Sequence, residues 1–222
     1  MCEIDFDIPY INVLEIENRK LFSNIVCSLN CLCMGGETEE KIVLYDKEKI
    51  YDLNKYASVC FDIFNFDYKN KKISSAINKY ILNAINSEYD RKAKAEHKLY
   101  EALRIIIDFI NELDFDFVYN ENITIEDIIK IFSVSVDTEP TDRLSDRFRT
   151  YIDVVSALKI YKTVFFVNVR SYFTEEEWKD IFKYIMSRNL NVLFVEPYSE
   201  PEISDYECKT VIDNDFCVYK KH

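Results

Sequence analysis

Residues able to do chemistry are spread unevenly along this sequence. Glu126-Asp127-Ile128-Ile129-Lys130 sets two carboxylates one helical turn from a lysine. A metal-dependent nuclease uses such a set to hold an ion and orient a water. The spacing is common on any charged helix, so it defines an alternative and no more. Carboxylates are densest from Asp108 to Asp142, a stretch that includes Glu112, Asp114, Asp116, Glu121, Asp127, Asp137 and Glu139. Hard cations such as calcium take many oxygen ligands from flexible loops, but the loop glycine of an EF-hand is missing. A solvated acidic face competes with that reading. Lys69, Lys71 and Lys72 form one basic group; Arg91, Lys94 and Lys98, spaced by three and four, form another on one helix face; Arg143, Arg147 and Arg149 form a third. Each group alone fits a solvated face. Together with Lys130 they fit a groove for a phosphate backbone.

Covalent chemistry has little else to draw on. The sequence holds 2 histidines, His97 and His222, so a base for a Ser or Cys nucleophile is poorly supplied. A phosphate-binding loop needs glycines that let backbone N–H groups turn onto phosphates, followed by Lys and Ser/Thr. The first strand-to-helix junction, Glu15-Ile16-Glu17-Asn18-Arg19-Lys20-Leu21, has no glycine and two carboxylates. The apolar run Val164 to Val167 ends in Asn168, where a magnesium-anchoring Asp is needed. No nucleotide binding is expected, and a degenerate ATPase kept as an interaction scaffold is a further alternative. The 7 cysteines are an odd number, Met1 to Pro9 lacks the apolar run of a signal peptide, and no stretch reaches a membrane span. Reduced thiols in a cytoplasmic, membrane-free protein are expected. Cys27, Cys31 and Cys33 lack a second pair of ligands nearby.

These groups need a scaffold. Hydrophobic residues make up 48%, with Phe 16 and Tyr 16, enough to build a packed core and to exclude a disordered chain. Gly 2 and Pro 4 leave few flexible loops. The formal net charge of -12 argues against nucleic acid wrapped over the whole surface but leaves room for a local basic stripe. Periodicity predicts a strand at Ile11 to Glu17, a helix from Arg19 to Cys33 capped by Asn18, and strands at Ile42 to Tyr45 and Val59 to Ile63. Residues 73–114 lack Gly and Pro and keep helical spacing around a polar middle, Glu88 to Lys98, which allows two helices or one exposed stalk. Helices follow at Ile125 to Phe132 and Asp142 to Lys162. Then come a strand at Val164 to Val167, a capped helix from Thr174 to Ser187, and strands at Asn191 to Val195 and Phe216 to Tyr219. The expected fold is an α/β sheet built from the two ends, residues 1–68 and 163–222, with a mainly α-helical insertion, residues 69–162.

Several stretches carry a resemblance. Asn191-Val192-Leu193-Phe194-Val195-Glu196-Pro197, an acidic segment, and Asp213-Asn214-Asp215-Phe216 resemble the ending of the Csn2 family of the type II-A CRISPR adaptation machinery, in its short form. Asn111-Glu112-Leu113-Asp114, Ile123-Thr124-Ile125 and Ile128-Ile129-Lys130 resemble its middle, and the opening strand and helix with Phe61 to Asp67 also fit. The resemblance implies a degenerate P-loop-ATPase-like α/β head with a helical leg, and a homotetrameric ring that threads double-stranded DNA ends without sequence preference. It implies calcium between head and leg, with ligands falling on Glu121, Asp127 and Asp137 and on Asp114 or Asp116. It also implies work beside the CRISPR integrase complex and effector nuclease in spacer acquisition, and no catalysis by this chain.

Overall fold

The structure is a computed structural model that describes residues 2–47, 49–137, 143–197 and 205–221. The chain divides into two compact units, one of Met1–Phe66 with Thr138–His222, the other of Asp67–Asp137. Glu139 and Asp142, named above, lie outside the described residues.

The first unit is built on a sheet. Strand β1 (Ile11–Ile16) is followed by helix α1 (Arg19–Cys33), a two-stranded hairpin of β2 (Leu44–Asp46) and β3 (Lys49–Tyr51), the short helix α2 (Leu53–Tyr56) and strand β4 (Ala57–Cys60). After the helical unit, which carries α3 (Lys71–Ser87), α4 (Tyr89–Asn111) and α5 (Ile125–Phe132), come α6 (Leu144–Ala157), β5 (Thr163–Val167), a 3-10 turn at Arg170–Tyr172, α7 (Glu175–Met186), β6 (Asn191–Glu196), β7 (Glu207–Ile212) and β8 (Val218–Lys221). The six-stranded sheet runs β4-β5-β6-β1-β7-β8 and is parallel except for β8. Strand β1 lies between β6 and β7, and all of its residues are buried.

Side chains alternate across that sheet, and each face buries its own set. On one face Leu14, Ile16, Phe165, Val167, Leu193, Val195 and Ile212 pack with Leu29 of α1. On the other, Phe148 of α6 lies 4.7 Å from Phe166, while Trp178 and Phe182 of α7 lie 5.0 and 5.7 Å from Phe194, centroid to centroid. Burying each such side chain contributes about 1.5–3 kcal/mol. Asp153 ties the two covering helices together, accepting from Tyr184 Oη at 2.5 Å and from Arg188 Nε at 2.8 Å. Helix α6, assigned above to the helical insertion, therefore belongs to the sheet unit: its buried Phe148, Ile152 and Val155 need an apolar sheet face to cover.

Local signals set the helix ends. Asn18 Oδ1 accepts from Lys20 and Leu21 backbone N–H groups and starts α1. Gly35, at φ +87°, turns the chain out of α1 against Asn54, whose Nδ2 would stand 2.8 Å from any added Cβ. In the helical unit Thr124 and Asp127 form a reciprocal capping box that opens α5. The polar middle of residues 73–114 proves to be a break: Glu88, at φ -114° and ψ 83°, separates α3 from α4. Helix α3 buries Ile73 and Ile77, α5 buries Ile129, and α4 buries no residue fully.

Five strand assignments change, the first being β2, which lies at Leu44–Asp46 rather than Ile42 to Tyr45. Strand β7 goes unpredicted, as does β3; the fourth strand lies at Ala57–Cys60 rather than Val59 to Ile63; and the last lies at Val218–Lys221 rather than Phe216 to Tyr219. The C-terminal shift follows from Asp213, whose carboxylate accepts from the Asp215 and Cys217 N–H groups and holds that stretch in a turn.

Candidate functional site

The C-terminal ends of parallel strands are where an open α/β sheet binds ligands. Only Glu17 and Asn18 separate β1 from α1, and Asn18 spends its side chain on the free N–H groups of the helix start. Asn214 Nδ2 donates to Glu17 Oε2 at 3.1 Å and ties the β7–β8 turn to that junction. Asn168, at φ 54°, donates its backbone N–H to Val195 O at 2.9 Å. The junction is thus filled by side chains that cap and tie, with the Glu17 carboxylate beside it.

The basic residues divide between the units. Lys69, Lys71, Lys72, Arg91, Lys94, Lys98 and Lys130 are exposed on the helical unit; Arg143 and Arg147 belong to the sheet unit. Arg147 donates to Phe64 O and helps hold Asp62 below the usual carboxylate range, after the hydrogen bonds from Asn65 and Phe64. Arg143, at the start of α6, adds to the lowering of Glu177 that the Thr174 cap dominates. On the helical unit, Arg91 meets Glu88 at 2.9 Å and Lys98 meets Glu101 at 2.7 Å. Lys130 meets Glu126 at 3.0 Å and Asp127 at 3.6 Å, and the Glu126 carboxylate raises its ammonium above the ordinary value. Exposed pairs of this kind contribute about 0–1 kcal/mol, so phosphate can displace the carboxylates. The Lys69, Lys71 and Lys94 side chains have no ion pair among the described residues.

Charge on this unit is segregated along the chain. Residues 69–104 hold nine Lys and Arg against four Asp and Glu, whereas residues 108–137 hold one Lys against eight Asp and Glu. The N-terminus of α3 carries Lys71 and Lys72 beside Lys69, with no acidic residue in its first turn. That arrangement opposes the helix dipole, which favours anions at this end. Helix α3, 17 residues and about 25 Å long at a rise of about 1.5 Å per residue, separates this group along the chain from Arg91, Lys94 and Lys98.

The five expected calcium ligands lie in the same unit but do not assemble. Asp114 and Asp116 are exposed in the chain after α4, Glu121 in the loop before α5, and Asp137 at the end of the unit. Asp127 is held by the Thr124 hydroxyl and backbone N–H, which lower its carboxyl. Among the described residues no three of His, Cys, Asp or Glu gather around a common point that could hold an ion. As placed, the five carboxylates do not fit a calcium ion, which takes six to eight oxygens. The nuclease alternative meets the same obstacle, since Lys130 closes onto both Glu126 and Asp127. Neither Cys27, Cys31 and Cys33 nor the other described cysteines form disulfides.

A cluster that the sequence analysis missed sits in the sheet. Glu15, Glu196, Glu207 and Lys209 are each at most 4% exposed. Lys209 Nζ lies 3.5 Å from Glu207 and 3.9 Å from Glu15, and Arg170 Nη1 lies 3.2 Å from Glu207. Glu196 Oε1 accepts from the Val169 N–H at 2.9 Å and the Arg170 N–H at 3.2 Å. Burial pushes the Glu196 carboxyl up to about 7 and pushes the Lys209 ammonium down, against the pull of Glu207 and Glu15. A signal was available: Glu15, Glu196 and Lys209 interrupt apolar runs, and a charge inside a buried parallel strand must find a partner.

Comparison with known proteins adds a family. The family model described as CRISPR-associated protein (Cas_Csn2) matches residues 36–216. A CRISPR-associated protein Csn2 of Streptococcus agalactiae is 27% identical over 208 residues, covering 92% of this chain and 88% of that protein. Another, of Enterococcus faecalis, is 21% identical over 202 residues, covering 88% and 87%.

Proposed function

We propose, from the premise that this chain belongs to the Csn2 family of CRISPR-associated proteins, that it binds double-stranded DNA ends without sequence preference, performs no covalent chemistry, and serves spacer acquisition beside the integrase and effector nuclease. The observation that carries the DNA reading is the segregated charge of the helical unit. Three lysines crowd the positive end of α3, where stability alone prefers carboxylates, and an arginine and two lysines share one face of α4. A phosphate backbone is the polyanion that such spaced, exposed cations accept, by releasing its counterions. Contacts to phosphate carry no base information, so binding through these cations gives no sequence preference.

Self-association into a homotetrameric ring is part of the reading. Ile105, Phe109 and Leu113 stand four residues apart and are exposed, and Phe115, Phe117, Ile131 and Phe132 are exposed as well. Apolar surface of this extent calls for a partner, and a second copy is the simplest one. Calcium is assigned no step, because its expected ligands are not gathered. Nucleotide is assigned none either, because the β1–α1 junction has no glycine and Asn18 already occupies the Lys20 and Leu21 N–H groups. Among the described residues no helix is long and apolar enough to cross a membrane, and the cytosol is the proposed compartment.

Topology of the DNA is the test. Linear duplex and covalently closed circular DNA of the same sequence are offered separately in a mobility-shift assay. A ring that threads ends shifts the linear DNA and leaves the relaxed circle unshifted; equal binding to both contradicts end threading.

A further inference from the structure

Three carboxylates and two cations are shut into one face of the sheet. Glu15 comes from β1, Glu196 from β6, and Glu207 and Lys209 from β7, while Arg170 reaches in from the turn after β5, its side chain 11% exposed. From α7, Glu175 meets Arg170 at 3.9 Å but is half exposed, so water screens it. Lys209 faces Glu15 and Glu207, and Arg170 faces Glu207, so the two cations balance two carboxylates. Glu196 is the third. It is the register partner of Glu15 on the neighbouring parallel strand, so both side chains leave the same face from strands about 4.8 Å apart. An ionised Glu196 has a like charge beside it in Glu15, and the Arg170 guanidinium that attracts it is already engaged by Glu207, so burial outweighs that attraction.

We propose that Glu196 is a buried proton-binding site, and that loss of its proton parts the Val169–Tyr172 turn from the edge of the sheet. A neutral Glu196 carboxyl sits dry and still accepts from the Val169 and Arg170 N–H groups. An ionised one needs more donors than those two, and water supplies them. The strands on either side are held by continuous parallel ladders, so the turn is the element that yields. Arg170 makes that turn a clamp: its N–H holds β6, its guanidinium holds Glu207 on β7, and its carbonyl accepts from Trp178 Nε1 at 2.9 Å. The elevated Glu196 carboxyl, raised chiefly by burial and further by Glu15, sets the working range near neutrality.

Trp178 is the single tryptophan and is 2% exposed, so its fluorescence reports the turn directly. Emission of the full chain is recorded from about pH 5 to 9, spanning the interval above the ordinary glutamate value. Wild type gives a one-proton transition near pH 7. Glu196→Gln keeps an accepting oxygen but cannot ionise, and its signal stays flat. Glu15→Gln removes the neighbouring charge and moves the midpoint down. A transition retained in Glu196→Gln, or absent from wild type, overturns the proposal. Should Glu196→Gln not fold, carboxyl carbon NMR of the wild type decides: one glutamate titrating near neutrality, displaced by Glu15→Gln, sustains the site, and glutamates all titrating in their ordinary range overturn it.

Discussion

Arg170→Met is expected to destabilise the protein by about 3–5 kcal/mol at neutral pH, the cost of removing one partner from a buried ionic cluster. Methionine keeps the backbone bonds of residue 170 to Glu196 and Trp178 and approximates the volume of the lost stem. What disappears is the cation 3.2 Å from Glu207. The loss leaves Lys209 as the sole cation for Glu15, Glu196 and Glu207, all buried. Glu196, already raised by burial, then loses the Arg170 attraction that lowers it and ionises at higher pH in the folded chain than in the unfolded one. The unfolded state therefore holds fewer protons, and stability falls as pH rises. The deficit should accordingly shrink in acid. Urea unfolding followed by Trp178 fluorescence at several pH values measures both effects. Lys98→Ala, which breaks an exposed pair with Glu101, should stay within about 0.5 kcal/mol of wild type. A loss under about 1 kcal/mol for Arg170→Met at neutral pH contradicts the cluster as described.

The second large effect concerns DNA. Replacing Lys69, Lys71 and Lys72 together by Ala should lower affinity by about 500-fold near 0.1 M salt if each neutralises one phosphate, since each such contact adds about 0.9 to the log–log salt slope. The slope itself should flatten by about 2.7. Folding should not suffer, because these side chains are exposed and their charge opposes the dipole of α3. Arg91→Ala with Lys94→Ala should act the same way with a smaller change of slope. Both sets retaining the wild-type slope removes the helical unit from the DNA interface.

Legibility in the sequence depended on whether a signal was local. Helices α1 and α5 lie where Asn18 and Thr124 place them, because a cap is a contact between neighbours in the chain. Buried strands β5 and β6 were readable from unbroken apolar runs, since a strand covered on both faces has no polar side to show. Strand β7 was hidden by the same rule. Its Glu207, Lys209 and Thr210 mimic a solvated loop, yet it lies wholly buried beside β1 because Arg170 and Glu15, distant in sequence, meet those charges. Helix α6 was readable as a helix but not as part of the sheet unit, since its stripe of Phe148, Ile152 and Val155 does not say which surface it covers. The basic groups of the helical unit were evident as spacings. The carboxylates were evident as a density, but no spacing brings Asp114, Asp116, Glu121, Asp127 and Asp137 to one point, and the structure leaves them apart.

Sequence-independent binding of duplex DNA through exposed cations is tested directly by one titration. Two linear duplexes of equal length and unrelated sequence are bound to the wild-type protein, and their fluorescence anisotropy is followed between about 50 and 200 mM salt. Equal affinities are expected for both duplexes at every salt concentration, falling together along one steep log–log line. Absence of binding at the lowest salt, a flat line, or a persistent preference for one duplex contradicts that mode of binding.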